Sequence, residues 1–84
     1  MNSKHRKTLV ALMAEPINGN IDWARIEGLL LALGCRVIEG PGSAVTFEHQ
    51  GRKANCHRPH SGKEALRYRV RAVREYLEKI GVTA

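Results

Sequence analysis

Apolar residues at helical spacing predict a short amphipathic helix near the start of the chain. The predicted helix runs from Lys4 to Glu15, with Ser3 available as an N-cap. Pro16 is expected to end it, because proline cannot continue the backbone hydrogen bonding of a helix. Its apolar positions are Leu9, Leu12 and Met13.

A second helical pattern occupies residues 21–34, IDWARIEGLLLALG. Asp22 has a side chain typical of an N-cap, and Gly34 stands where the left-handed residue after a helix is usually found. The apolar residues at helical spacing are Trp23, Ile26, Leu30 and Leu33. Trp23 is therefore expected in the core.

From Cys35 onward the apolar pattern changes from helical to strand-like. Three short segments, CRVIE, AVTFEH and RKANCHR, are separated by GPGS and QG, which are typical of turns, and the first two segments contain β-branched residues. They predict three consecutive antiparallel strands.

The last part of the chain, from Glu64 to Ile80, carries the most regular helical pattern, and Gly81 is expected to close this helix. Its apolar stripe consists of Leu66, Val70, Val73, Leu77 and Ile80. The element order predicts an α+β fold, α-α-β-β-β-α, in which helices cover one face of a three-stranded antiparallel sheet. We expect one domain spanning residues 1–84.

Composition adds a size limit and a basic surface. A chain of 84 residues has room for one thin core, so we expect no large cofactor. Its 14 Lys and Arg against 8 Asp and Glu give a net charge of +6, which favours RNA, DNA or an acidic protein as a partner without choosing among them. The longest apolar run, residues 29–33, is too short to cross a bilayer, and no signal peptide precedes it. We therefore expect a cytoplasmic protein.

The final predicted helix concentrates this positive charge. With its apolar stripe against the sheet, the basic residues on or near the solvent face are Lys63, Arg67, Arg71 and Arg74, with Arg69 at the margin. Such a run is often only a solvated helix face. Four arginines within eight residues exceed what solubility needs and favour a surface for RNA or a protein partner.

Several motifs between residues 26 and 82 stand in a characteristic order. A Gly42-Ser43 turn leads into the strand AVTF, the third strand ends at Pro59-His60, Gly62-Lys63 follows, and a helix closes the chain. Together these motifs resemble the HicA toxins of bacterial toxin–antitoxin pairs. The longer amino-terminal lead resembles the extended branch of that family.

The resemblance implies a fold similar to a double-stranded-RNA-binding domain, an RNA-cleaving activity that arrests translation, and neutralisation by a HicB antitoxin. Typical members carry a histidine directly after the glycine–serine turn, and their activity depends on it. Here that position is Ala44, which cannot move a proton. Either the chain binds RNA without cleaving it, or the catalytic imidazole has moved.

The register of the second and third predicted strands supports the hypothesis that His57 substitutes for the missing histidine across the strand pair. With a loop at residues 50–51, apolar residues face apolar residues and acids face bases. A shift by one residue would instead set Phe47 against Lys53. The favoured register places His57 directly opposite Ala44, with Cβ atoms about 4.5–5.5 Å apart.

Metal-independent RNA hydrolysis needs a base for the 2′-hydroxyl, an acid for the leaving 5′-oxygen and cations for the phosphate. Histidine suits both proton transfers because its unperturbed pKa is about 6.5. His57 is the candidate base or acid, and His60 is the candidate second proton carrier. The candidate RNA-binding residues are Ser43, Arg58, Lys63, Arg67, Arg71 and Arg74.

Each of these residues also has a structural interpretation. His57 can be a half-exposed strand residue, and His60, which follows Pro59, can cap the last helix. Ser43 can simply shape its turn. Tyr68 can stack on an RNA base, as aromatic residues of many RNA-binding proteins do, or can be an ordinary helix residue.

Cys35 and Cys56 are expected to be reduced and mostly buried, with a disulfide as the alternative. Cys56, His57 and His60 can be drawn as a zinc site. Strand alternation, however, directs Cys56 towards the core and His57 away from it, so we expect no metal.

Three functions stay open from the sequence. The first is a HicA-like, metal-independent endoribonuclease that acts on single-stranded or messenger RNA and is inhibited by an acidic HicB-like antitoxin. The second is a non-catalytic RNA-binding domain of the same fold. The third is a protein interaction module whose only ligand is the antitoxin or a second copy.

Overall fold

The chain folds in the predicted order of helices and strands. The computed structural model describes residues 2–59, 62 and 65–82. The elements are α1 (Ser3–Met13), α2 (Trp23–Ala32), β1 (Arg36–Glu39), β2 (Ala44–His49), β3 (Arg52–His57) and α3 (Arg67–Lys79). The strands form one antiparallel sheet in the order β1-β2-β3. The predicted α+β class, with a three-stranded sheet packed against helices, is confirmed.

The N-cap of α2 was predicted correctly, and that of α1 was not. The carboxylate of Asp22 accepts a hydrogen bond from the Ala24 N–H at 3.0 Å. For α1, the Asn2 side chain accepts from the His5 N–H at 2.8 Å, and Ser3 is already helical. Asn2 and Ser3 are adjacent and both favoured at N-caps, so composition alone did not separate them.

Two helices end in the same hydrogen-bonded motif, and each needs a glycine. After α2, Gly34 has φ +93° and the Cys35 N–H reaches back to the Leu30 carbonyl at 3.0 Å. After α3, Gly81 has φ +86° and the Val82 N–H donates to the Leu77 carbonyl at 2.8 Å. Both are Schellman caps, which confirms the predicted roles of the two glycines.

The core lies between the helices and one face of the sheet. From β2, Val45 and Phe47 point into it, while Thr46 between them faces the other way. The Phe47 ring lies 6.2 Å from the ring of Trp23, which is buried as predicted. The helices contribute Leu9, Leu12, Ile26, Leu29, Leu30, Val70, Val73, Tyr76 and Leu77.

The predicted apolar stripe of α3 is wrong at its first position. Leu66 is 55% exposed because it is the N-cap and has an extended backbone, so it does not follow the helical spacing. Tyr76 is buried in addition to the predicted stripe. Its hydroxyl donates to the Arg52 carbonyl at 2.9 Å, which satisfies the polar end of an otherwise apolar ring.

The predicted register between β2 and β3 is confirmed at all six pairs, from His49 with Arg52 to Ala44 with His57. The loop residues Gln50 and Gly51 both have positive φ, +51° and +85°. These values fit the type I′ turn, whose twist matches that of the flanking strands.

Candidate functional site

The pair of Ala44 and His57 lies at the end of the sheet, beside the loop of residues 40–43. Next to this pair, the Arg58 N–H donates to the Ser43 carbonyl at 2.9 Å. Bonded and non-bonded pairs alternate along antiparallel strands, so Ala44 and His57 form a non-hydrogen-bonded pair, the type with the closer side chains. Ala44 is half-buried and His57 is exposed.

The face that carries His57 is polar and points away from the core. Two residues before His57, Asn55 accepts a hydrogen bond from the Thr46 hydroxyl at 2.8 Å across the strand pair. The preceding loop folds closely against this face, since a Cβ at Gly40 would lie 3.1 Å from the Cβ of Ala44. The His57 imidazole therefore stands on a solvated face with Ala44 beside it.

Arg58 ties the end of β3 to two other elements. Its guanidinium donates to both oxygens of Glu27, at 2.6 and 3.1 Å, and to both oxygens of Glu39, at 2.6 and 2.9 Å. Glu27 also accepts from the Trp23 indole N–H. Hydrogen bonds to Glu39 and Glu27 raise the pKa of Arg58, and Arg58 lowers the pKa of Glu39. This clamp fixes the strand end that carries His57.

Arg74 stabilises the end of α1. Its guanidinium donates to the carbonyls of Leu12 at 3.0 Å and Ala14 at 2.6 Å, and to the Glu15 carboxylate. The side chain is only 14% exposed, so its predicted place on the solvent face is wrong. The reason is that the last carbonyls of a helix lack partners within the helix.

The interpretation of Arg58 and Arg74 as RNA-binding residues stays a prediction. Contact with RNA would require Arg58 to exchange a carboxylate for phosphate and Arg74 to exchange its carbonyl and carboxylate partners.

Arg67 and Arg71 are exposed, but they point to a different region from His57. With Tyr68 they line a depression of about 510 Å³ against residues 15–17. The Arg67 chain also covers Gly19, where a Cβ would lie 3.1 Å from its Cγ. The predicted residues His60 and Lys63 lie outside the described part of the chain.

A second depression, of about 320 Å³, lies between β3 and α3 and does contain His57. The other residues that line it are Asn55, Cys56, Tyr68, Arg69 and Ala72. Sequence reasoning did not assign Asn55 or Arg69 to the site. Strand alternation signals that Asn55 shares a face with His57, whereas the approach of α3 to β3 is a tertiary contact without a sequence signal.

The family model described as HicA toxin of bacterial toxin-antitoxin matches residues 23–82. This chain belongs to the HicA toxin family. The matched range begins at α2 and ends just after α3, so it includes the whole sheet and the pair of Ala44 and His57. A search of curated proteins and a search of solved structures each found no match. Membership of a toxin–antitoxin family implies an antitoxin as partner.

The two cysteines of this HicA chain are free thiols, Cys35 buried and Cys56 half-buried. Burial raises the pKa of both, so both stay protonated at neutral pH and are weak nucleophiles. Within residues 2–59, 62 and 65–82, no three His, Cys, Asp or Glu side chains are arranged to hold a metal ion. None of the described helices is long and apolar enough to cross a membrane.

Proposed function

We propose that this HicA chain is a metal-independent endoribonuclease in which His57 supplies the imidazole that typical members carry at the position of Ala44. The observation that carries the proposal is the pairing of Ala44 with His57 on the solvated face of the sheet. A side chain at either position reaches the space above the same strand pair, because directly opposed Cβ atoms are about 4.5–5.5 Å apart.

The reaction needs two proton transfers. A base removes the proton of a ribose 2′-hydroxyl, whose oxygen attacks the adjacent phosphorus while the bond to the 5′-oxygen breaks. An acid protonates that 5′-oxygen, which leaves a 2′,3′-cyclic phosphate and a 5′-hydroxyl. His57 performs one transfer and His60 is the candidate for the other.

Positive charge holds the RNA. The exposed Arg67 and Arg71 contact phosphates further along the strand from the scissile bond, and Lys63 and Ser43 bind near the reacting phosphate. Arg58 keeps β3 in place, and it binds phosphate only if it leaves a carboxylate. The expected substrate is messenger RNA in the cytoplasm, which the net charge of +6 attracts through counterion release.

The antitoxin in this proposal is an acidic HicB-like protein that covers the face of His57 and the basic side of α3. Residues 1–84 act as one HicA-like domain, because Leu9 and Leu12 of α1 belong to the same core cluster as α2, α3 and β2. In this proposal α1, which precedes the family match, and the alanine at position 44 mark an extended branch of the family.

A non-catalytic RNA-binding domain is the second candidate. The observation that favours it is Ala44 itself, since the family's usual proton carrier is missing from its position.

Moving the imidazole back across the strand pair tests the proposal. Expression of the wild type is expected to arrest bacterial growth and cleave message, and His57→Ala is expected to lose about 100- to 10,000-fold in cleavage rate, the usual value of general acid–base catalysis. The double variant Ala44→His with His57→Ala is expected to recover activity. The measurements are growth after induction and the integrity of total message.

The matched control is His49→Ala, which removes the histidine at the other end of β2 and should stay toxic. If the wild type neither arrests growth nor cleaves RNA, the proposed enzyme is wrong and the non-catalytic RNA-binding domain is the remaining candidate. If Ala44→His abolishes activity while His57→Ala retains it, the role of His57 is wrong.

A further inference from the structure

The depression between β3 and α3 has the composition of a site for a flat heterocycle. Its volume is about 320 Å³, and Cys56 and Ala72 contribute uncharged, weakly polar surface. The thiol of Cys56 is protonated because burial raises its pKa. Arg69 supplies positive charge at one side of the depression, and the uncharged surface accommodates the face of a nucleobase.

Tyr68 gives this depression an aromatic wall. This residue is 62% exposed, which is unusual for a large aromatic residue that could pack into a core. The guanidinium carbon of Arg69 lies 5.3 Å from the centre of its ring, in a cation–π contact. Exposed aromatic rings beside arginine are the platforms on which single-stranded nucleic acids stack their bases.

Asn55 adds a polar group at the strand side of the depression. Its Oδ1 accepts from the Thr46 hydroxyl, and its amide hydrogens donate to none of the residues that the structure describes. These hydrogens are suited to an acceptor on the edge of a base. His57 lines the same depression two residues further along β3.

We infer that this depression binds one unstacked nucleobase of single-stranded RNA, which stacks on Tyr68, meets Asn55 at its edge and places its ribose beside His57. The guanidinium of Arg69 then contacts the phosphate that follows this base. A duplex does not fit the site, because its bases are already paired and stacked. The inference rests on the proposed function and adds to it a single-strand requirement and a base-binding subsite.

Binding to an uncleavable RNA tests the subsite separately from catalysis. The probe is a fluorescent single strand of 2′-fluoro RNA, which lacks the attacking hydroxyl, titrated with the full chain and followed by anisotropy. Tyr68→Ala is expected to weaken binding roughly 5- to 150-fold, the range of base–aromatic stacking. Tyr68→Phe keeps the ring and is expected to bind like the wild type.

The control for lost apolar surface is Leu66→Ala, at an exposed apolar residue two positions before Tyr68 that does not line the depression. It is expected to bind like the wild type. A series of strands, each with one abasic position, then locates the stacked base. At one position the wild type and Tyr68→Ala are expected to bind equally, because the base that stacks is missing.

The possible outcomes separate the subsite from the reaction. If the wild type cleaves RNA and Tyr68→Ala binds as tightly as the wild type, the subsite is wrong and the proposed function stands. If Tyr68→Ala weakens binding of a chain that does not cleave, the subsite stands and the proposed reaction fails. Equal affinity for duplex RNA, or equal losses in Leu66→Ala and Tyr68→Ala, overturns the subsite.

Discussion

The carboxylate of Glu48 binds both the hairpin turn after β2 and a neighbouring arginine. Its carboxylate accepts the Gly51 N–H at 2.7 Å and the Arg36 guanidinium at 3.1 Å. The Gly51 hydrogen bond is the main cause that lowers the pKa of Glu48 below its ordinary value of 4.5, and Arg36 and Lys53 lower it further. The side chain therefore stabilises the turn that sets the register of β2 and β3.

This lowered pKa makes part of the stability depend on pH. A carboxyl with a depressed folded-state pKa stabilises the fold above the unfolded value of 4.5, and the contribution is lost as the pH falls through the folded-state pKa. Glu48→Gln is expected to be less stable than the wild type at neutral pH, with the difference shrinking under acid. Urea unfolding at a series of pH values measures the difference in the free energy of unfolding between the two proteins. A difference that does not change with pH would contradict the prediction.

At the scale of elements, Arg74 joins α3 to the end of α1, while Arg71, three residues earlier, stays exposed. These two arginines of one helix therefore offer a matched comparison between a structural role and a surface role. The sequence predicted that both would lie on or near the solvent face of the helix.

Arg74→Ala is expected to lower the free energy of unfolding by about 1–3 kcal/mol, because it leaves the last carbonyls of α1 without their donor. Arg71→Ala is expected to change it by no more than about 0.5 kcal/mol, as is usual for surface substitutions. Chemical denaturation of both variants measures the difference. Equal losses would show that Arg74 does not hold α1 in solution.

The elements themselves were largely predictable because their signals are local. Apolar spacing, the Asp22 cap, Gly34, Gly81 and the QG turn each lie within a few residues of the structure that they determine. The register followed from matching the faces of two strands joined by that turn. The pairing of Ala44 with His57 could therefore be predicted from the sequence alone.

The contacts of the arginines were not predictable in the same way. Arg58 meets Glu27 from 31 residues away, and Arg74 meets Glu15 from 59 residues away. A run of arginines in the sequence indicates total charge but does not reveal which side chains are neutralised by distant carboxylates. The depression beside His57 was unpredictable for the same reason, because it forms only when α3 lies against β3.

For the whole molecule, the count of 14 Lys and Arg overstates the number of positive side chains that are available to RNA. Four ion pairs of the described residues involve three arginines: Arg36, Arg58 and Arg74. Arg67 and Arg71 are exposed and take no part in these pairs. They are the described members of the predicted RNA-binding set that are available without rearrangement.

Salt dependence measures how many charges act on the RNA. For a single strand, each phosphate contact adds about 0.7 to the slope of log affinity against log salt. Arg71→Gln is expected to lower that slope by about this amount. The control is Arg36→Gln, an exposed arginine of β1 outside the predicted site, which is expected to leave it unchanged. An equal decrease of the slope in both variants would indicate that total charge attracts the RNA and that Arg71 makes no specific phosphate contact.

The two-residue turn at Gln50 and Gly51 has a consequence at the opposite end of its hairpin. It lies six residue pairs, or about 20 Å, from the pair of Ala44 and His57. A shift of the pairing by one residue at this turn would move His57 to the other face of the sheet. The register that this turn sets thus decides which face of the sheet carries the proposed catalytic imidazole, at a distance from the turn itself.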